Sequence, residues 1–325
     1  MLFQPSGHFS VIREENFAHE MKNVEQILQN HVTTGYFTSF DDARLYYEYF
    51  LVENPKASIV FVHGYTEFCK KYYELVWYFM NMGYNVFIYD QRGHGFSHRD
   101  VEDFQVIHVN RFEDYADDLD CFVEKVVLTV QKDVPLYLYA HSMGGAVAAF
   151  YLAKVKNKIQ KTVLSAPMIY PVCTSLPRQL LRFLIKKEAK KKGWKTRLRF
   201  SRDFNPDAQF ERSGDLSEGR FRYNLQARIE EPRYQNSCSS NRWNYETLGV
   251  LPKMFRRANI KNMHSDILIV SAENDTVVEV KPQKKLAKRL KCRYLCVKDA
   301  KHCLYTQNDE ALVAFLDKIL AFYGV

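Results

Sequence analysis

A chain of 325 residues, 46% hydrophobic and 14% aromatic, can bury a large core as one elaborated domain or a core plus an insert, which excludes an intrinsically disordered chain. Residues 1–17 hold no continuous apolar stretch, and nowhere do about eighteen apolar residues run together, so neither a secretory leader nor a membrane-spanning helix is expected. The formal charge of +8 comes largely from one basic stretch, and seven cysteines, odd in number and without paired metal spacing, fit a reducing, cytoplasmic compartment better than a disulfide framework.

In chain order, residues 14–30 carry an amphipathic helical pattern, read as the main part of an N-terminal extension (1–31) packed on the rim of the core. Apolar strands follow at 43–52 and 58–62, the second ending in His63-Gly64, where glycine lets the backbone turn and aim an amide outward. A strand at 85–89 leads into Gln91-Arg92-Gly93-His94-Gly95, which fits a structural loop. A helix is expected from Asn110, with Glu113 three residues on in the manner of a capping box, to about Gln131. Its acids Glu113, Asp114, Asp117, Asp118 and Asp120 read as a solvated, N-terminally acidic face rather than a metal site.

Strand 136–139, Ser142 between small residues, and a helical run at 146–156 form a nucleophile elbow, a turn that lifts the serine hydroxyl above the sheet. Ala140 stands where glycine is usual; Gly144 keeps the second glycine place. After strand 161–165 the alternation breaks for about a hundred residues, then resumes with strand 267–270 and Asp275, helix 282–290, strand 293–297 and His302, and helix 310–322. The order serine, acid, histidine, each after a strand, makes Ser142 the candidate nucleophile, His302 its base and Asp275 the orienting acid. Glu273 and Asp299 are the weaker acids, while His94 and His141 precede the acid in the chain. Oxyanion donors are assigned to the amides of Tyr65 and Met143, the latter at a helix N-terminus. Cys303 reads as a packed cysteine rather than a reactive thiol, and Cys292 with Cys296 is no zinc signature.

The break between the strands reads as a helical cap at 168–254 over a core made of 32–167 and 255–325. Pro177 starts and Gly193 stops a helix with Leu176, Leu180, Leu181, Leu184 and Ile185 at helical spacing, flanked by many lysines and arginines. Contact with an anionic membrane surface is the expectation; a solvated basic face and nucleic-acid binding are the alternatives. Further on, Arg220 and Arg222 are candidates for holding a lipid phosphate.

His63-Gly64-Tyr65-Thr66-Glu67, Asp90-Gln91-Arg92-Gly93-His94-Gly95-Phe96-Ser97, Ala140-His141-Ser142-Met143-Gly144-Gly145, Ser165-Ala166-Pro167-Met168 and Ser271-Ala272-Glu273-Asn274-Asp275 stand in this order. The chain thereby resembles the monoacylglycerol lipase and lysophospholipase family of α/β-hydrolases, from about Gly35 to the C-terminus. His108-Val109-Asn110-Arg111-Phe112-Glu113-Asp114-Tyr115 and Ala140 are similar to the bacterial membrane-associated lysophospholipases in particular. The resemblance implies an α/β-hydrolase fold, the Ser142, Asp275, His302 triad with the Tyr65 and Met143 amides, a lipid ester substrate and no cofactor or metal. Cys303 and Lys71 depart from it, since many relatives carry Glu and Arg there. The expected activity is acyl-ester hydrolysis of lysophospholipids, with monoacylglycerol lipase or general carboxylesterase as the alternative. A different class is a non-catalytic peripheral lipid-binding protein on the same scaffold. The expected location is cytoplasmic, with peripheral contact on the cytoplasmic face of the inner membrane.

Overall fold

The computed structural model describes residues 2–172, 176–255 and 260–324. The chain opens with α1 (Phe17–Gln29), β1 (Val32–Thr38), β2 (Arg44–Phe50), β3 (Ala57–Val62), α2 (Tyr73–Asn81), β4 (Tyr84–Tyr89) and β5 (Val106–Ile107). Next come α3 (Asp114–Phe122), a π-helical turn (Val123–Val127), α4 (Leu128–Val130), β6 (Leu136–His141), α5 (Met143–Lys154) and β7 (Ile159–Ser165). The segment before the last strands holds α6 (Arg178–Lys192), α7 (Glu218–Glu230), β8 (Cys238–Ser239) and α8 (Asn241–Met254). The remainder is β9 (Asp266–Ala272), α9 (Val280–Leu290), β10 (Arg293–Val297) and α10 (Asp309–Tyr323).

Eight strands make one sheet in the order β1-β2-β4-β3-β6-β7-β9-β10, antiparallel at the β1-β2-β4 end and parallel from β4 onward. This is the α/β-hydrolase architecture. β3 and β4 are buried along their whole length, as strands covered by helices on both faces must be. One face packs Val60, Val62 and Leu138 against α3 and α5. The other packs Ile59, Phe61 and Tyr139 against α2 and α10. Because β6, β7, β9 and β10 run parallel, the loops after β6, β9 and β10 open on the same rim of the sheet.

Three local expectations change. β1 was not anticipated: of Val-Thr-Thr-Gly-Tyr-Phe-Thr only Phe37 is buried, so an edge strand of mixed polarity leaves little hydrophobic signal. The helix expected from Asn110 begins at Asp114, and Glu113 gives it no side-chain cap; instead Asp114 reaches back to accept from the Arg111 amide at 3.1 Å. Its acidic face is not wholly solvated either. Asp118 is buried and accepts from the Arg92 guanidinium through both oxygens, each at 2.6 Å. Arg92 also pairs with Asp41, so the loop after β4 is held by a buried fork of charge.

α1 buries Phe17, Met21, Val24 and Leu28 in the α2–α10 half of the core, which accounts for the amphipathic pattern of the N-terminal segment. Among the described residues no helix is long and apolar enough to cross a membrane.

Candidate active site

Ser142 lies between the last residue of β6 and the first of α5, at φ 52° and ψ −117°. A non-glycine residue holds that region only where its surroundings compel it. Here the Ser142 amide donates to the Ser165 carbonyl at 3.0 Å, and its own carbonyl accepts from the Met168 amide at 2.8 Å. The small residues around it are steric requirements. A Cβ at Gly144 would collide with the carbonyl oxygens of Val62 and His63, and one at Gly145 would lie 2.7 Å from Pro167 Cβ. Ala140, in place of the usual glycine, is fully buried in β6 without disturbing the turn.

His302, in the loop between β10 and α10, brings Nε2 to 2.8 Å from Ser142 Oγ. Its Nδ1 lies 2.7 Å from Asp275 Oδ2, on the loop after β9. The other oxygen of Asp275 accepts from the amides of Val277 and Val278 at 2.8 and 2.9 Å, which aims the carboxylate. All three side chains are withdrawn from solvent. Such a series can polarise a serine hydroxyl: the imidazole takes its proton, and the carboxylate fixes the tautomer and steadies the imidazolium. The competing acid Glu273 is turned away, its carboxylate accepting from the Asp299 amide at 3.0 Å. The His141 ring lies 4.9 Å from that of His302, tilted against it, but burial drives its pKa down to about 3, leaving it neutral beside His302 and Asp275. His94 is buried against His63, 5.0 Å ring to ring, as a structural histidine.

The turn after β3 adjoins the serine. A Cβ on Gly64 would fall 3.1 Å from Ser142 Cβ and 2.8 Å from Glu67 Oε2, so glycine is needed for this approach. His63 has a settled tautomer: Nδ1 donates to the Gly64 carbonyl at 2.8 Å while Nε2 accepts from the Gln91 amide at 2.9 Å. Tyr65 leans its ring on Trp243 of α8 at 4.9 Å. Met143 opens α5, so its N–H has no acceptor within the helix. Sequence reasoning gave no role to Glu67, a buried carboxylate behind this turn; its place three residues after Gly64 and four before Lys71 was the available signal.

A family profile, Hydrolase_4, described as serine aminopeptidase, S33, matches residues 53–309. The chain belongs to this family. Over 90% of its length this Hydrolase_4 member is 27% identical to a probable lysophospholipase L2 of Haemophilus influenzae, covering 92% of that protein. It is 36% identical over 135 residues to lysophospholipase L2 of Escherichia coli K12, 41% of this chain and 38% of that one. Over 145 residues, 41% of this chain and 44% of the other, it is 30% identical to a monoglyceride lipase of Saccharomyces cerevisiae. A soluble variant of the yeast monoglyceride lipase superposes with a TM-score of 0.70 at 21% identity, over 89% of this chain and 93% of that one. A carboxyl esterase from Bacillus coagulans does so at 0.72 and 16%, over 90% and 98%. At these identities the two solved structures share the fold.

Not every residue nominated from the sequence joins the hydrolase's site. Arg220 is 1% exposed, and its guanidinium is consumed within the fold by Glu74, Asp309, Glu14, Ser217 and the Ile12 carbonyl. This corrects its nomination for a head group: a guanidinium whose donors are all engaged inside the protein has none to offer a phosphate. Arg222 lies on the exposed side of α7, pairs with Glu218 and borders a surface cavity with Ala18, Tyr223 and Ile229 rather than Ser142. Cys303 is packed, and burial raises its thiol pKa. Glu67, His141 and Cys303 bring potential ligand atoms within 4.8 Å of one another, but the Lys71 ammonium already supplies the positive charge there. Six described cysteines are unpaired; Cys173 lies outside the described residues.

Proposed function

We propose that this hydrolase cleaves the acyl ester of single-chain lipids, lysophospholipids foremost, with Ser142 as nucleophile, His302 as general base and acid, and Asp275 as the orienting carboxylate. The observation that carries the reading is the continuous hydrogen-bonded series from Asp275 through His302 to Ser142, at 2.7 and 2.8 Å, on a strained elbow. His302 accepts the Ser142 proton as Oγ attacks the ester carbonyl. The amides of Tyr65 and Met143 stabilise the oxyanion, and the alcohol leaves with the proton from His302. Water, deprotonated by the same imidazole, then releases the fatty acid from the acyl-enzyme. No step needs a metal or cofactor.

Segment 168–254 is the cap over this site, and α6 is its contact with an anionic bilayer. Between 178 and 199 ten basic residues accompany one acidic residue, so this stretch outweighs the +8 of the whole chain. Ile185 and Ala189 face inward, whereas Leu180, Phe183 and Leu184 stand exposed beside the lysines, Phe183 at 62%. An apolar stripe edged with lysine suits the headgroup boundary. This supports a protein that meets its substrate at the inner membrane's cytoplasmic face.

The near full-length likeness to a protein named as a probable lysophospholipase favours the phospholipid reading; the likeness to monoglyceride lipases supports the neutral-lipid alternative with the same chemistry. Two measurements test the proposal. Ser142→Ala should abolish hydrolysis and fluorophosphonate labelling while leaving the circular dichroism spectrum unchanged; turnover retained in that variant refutes the mechanism, and an unlabelled parent chain points to a non-catalytic lipid-binding protein. Faster fatty-acid release from monoacylglycerol than from lysophosphatidylethanolamine would shift the substrate class to neutral lipids.

A further inference from the structure

Glu67 is the convergence point of the two loops that flank Ser142. Its Oε2 accepts from the Gly64 amide at 2.5 Å and from the Tyr72 hydroxyl at 2.6 Å. Its Oε1 accepts from Lys71 Nζ at 2.8 Å and from the Tyr305 hydroxyl. Gly64 immediately precedes the Tyr65 amide, and Tyr305 lies three residues beyond His302. One carboxylate therefore holds the turn after β3 and the loop after β10 at the same time. The peptide planes on both sides of Gly64 are held: Glu67 accepts from the Gly64 amide, and His63 Nδ1 donates to the Gly64 carbonyl, which shares its plane with the Tyr65 amide.

We propose that Glu67 is a positioning residue for ester hydrolysis, aiming the Tyr65 amide at the oxyanion while tethering the His302 loop through Tyr305. The inference rests on the proposed roles of Ser142, His302 and Tyr65. A solvent-exposed carboxylate could not do this, because water would compete for its oxygens; Glu67 is buried. Burial opposes its ionisation, but the Lys71 charge, with the hydrogen bonds from Lys71 and Tyr305, outweighs burial and holds its pKa below the ordinary carboxylate value. It therefore stays an acceptor-only group facing four donors, which an amide in its place cannot reproduce.

The test compares the parent with Glu67→Gln and Tyr72→Phe, measuring kcat, KM, thermal midpoint and inhibition by a long-chain trifluoromethyl ketone. Ser142 would add to the ketone carbonyl, its proton passing to His302 and the carbonyl oxygen becoming the oxyanion. If the parent forms no adduct, or forms one that survives in Ser142→Ala, the proposed function falls and the inference with it. Given an adduct, Glu67→Gln should lower kcat by roughly 10- to 100-fold, leave KM within about threefold, and weaken the ketone by the same factor as kcat. A folded Glu67→Gln with kcat and ketone affinity within about twofold of the parent overturns the positioning role, whatever happens to its thermal midpoint. Should Glu67→Gln fail to fold, Tyr72→Phe decides, since it removes the other donor from the oxygen that holds Gly64. A parallel loss of kcat and ketone affinity supports the role; a lowered midpoint with both unchanged reduces Glu67 to a structural anchor.

Discussion

Glu48, on β2, shows how a single buried carboxyl ties stability to pH. It accepts from the Tyr46 hydroxyl at 2.9 Å through one oxygen, and the other oxygen is buried without a hydrogen-bond partner. Burial first, and the Asp90 charge second, push its pKa up to about 7 from an ordinary 4.5. The folded chain thus keeps a proton that the unfolded chain gives up between those two values. Stability present below the unfolded pKa is lost as pH rises through about 7, on the order of a few kcal/mol in full. Glu48→Gln, which cannot ionise, should raise the urea midpoint at pH 8.5 and leave it nearly unchanged at pH 4.5. An equal increment at both pH values would mean that ionisation is not the cause.

At the scale of elements, one side chain of α7 reaches three distant parts of the chain. Arg220 Nε and Nη2 reach Glu74 of α2, at 2.7 Å for the shortest contact, and Nη1 reaches Asp309 at the start of α10 at 3.0 Å. Nη2 also donates to the Ile12 carbonyl at 2.9 Å, so three distant parts of the chain meet on one guanidinium. The basic-aromatic run around Arg220 invited a ligand-binding reading because sequence does not reveal which way a helical side chain points. Glu74 and Asp309, far apart in the chain, decide it. Arg220→Met should destabilise the fold by about 3–5 kcal/mol by leaving these carboxylates unpaired, read from urea unfolding. Arg222→Ala should leave the preference between lysophospholipid and monoacylglycerol unchanged; a changed ratio would restore Arg222 as a head-group contact.

For the molecule as a whole, α6 is where dense basic charge and exposed apolar side chains coincide. Each lysine near an anionic surface contributes about 1 kcal/mol before screening. Replacing Lys187 and Lys191 by glutamate should therefore weaken binding to phosphatidylglycerol vesicles by tenfold or more at low salt, and Phe183→Ser with Leu184→Ser should weaken it further. Hydrolysis of a soluble short-chain ester should stay unchanged in both. Equal partitioning of parent and variants would leave α6 a solvated face. Chain order, strand patterning and small residues around Ser142 made the Ser142, Asp275 and His302 constellation and the parallel sheet legible in the sequence, because each is a local pattern: an apolar run, a turn, a polar residue just beyond it. Other features depended on partners remote in the chain. β1 became visible only through pairing with β2, Asp118 only through Arg92, and Arg220 only through Glu74 and Asp309. Glu67 belongs with them: a local motif contained it, but only the tertiary fold brings Gly64, Tyr72 and Tyr305 onto its two oxygens. The sequence by itself determined which groups make up the candidate site, since covalent order and local propensity place them. The tertiary structure decided which charges are spent inside the fold and which face outward, because burial and pairing are properties of contacts between distant residues.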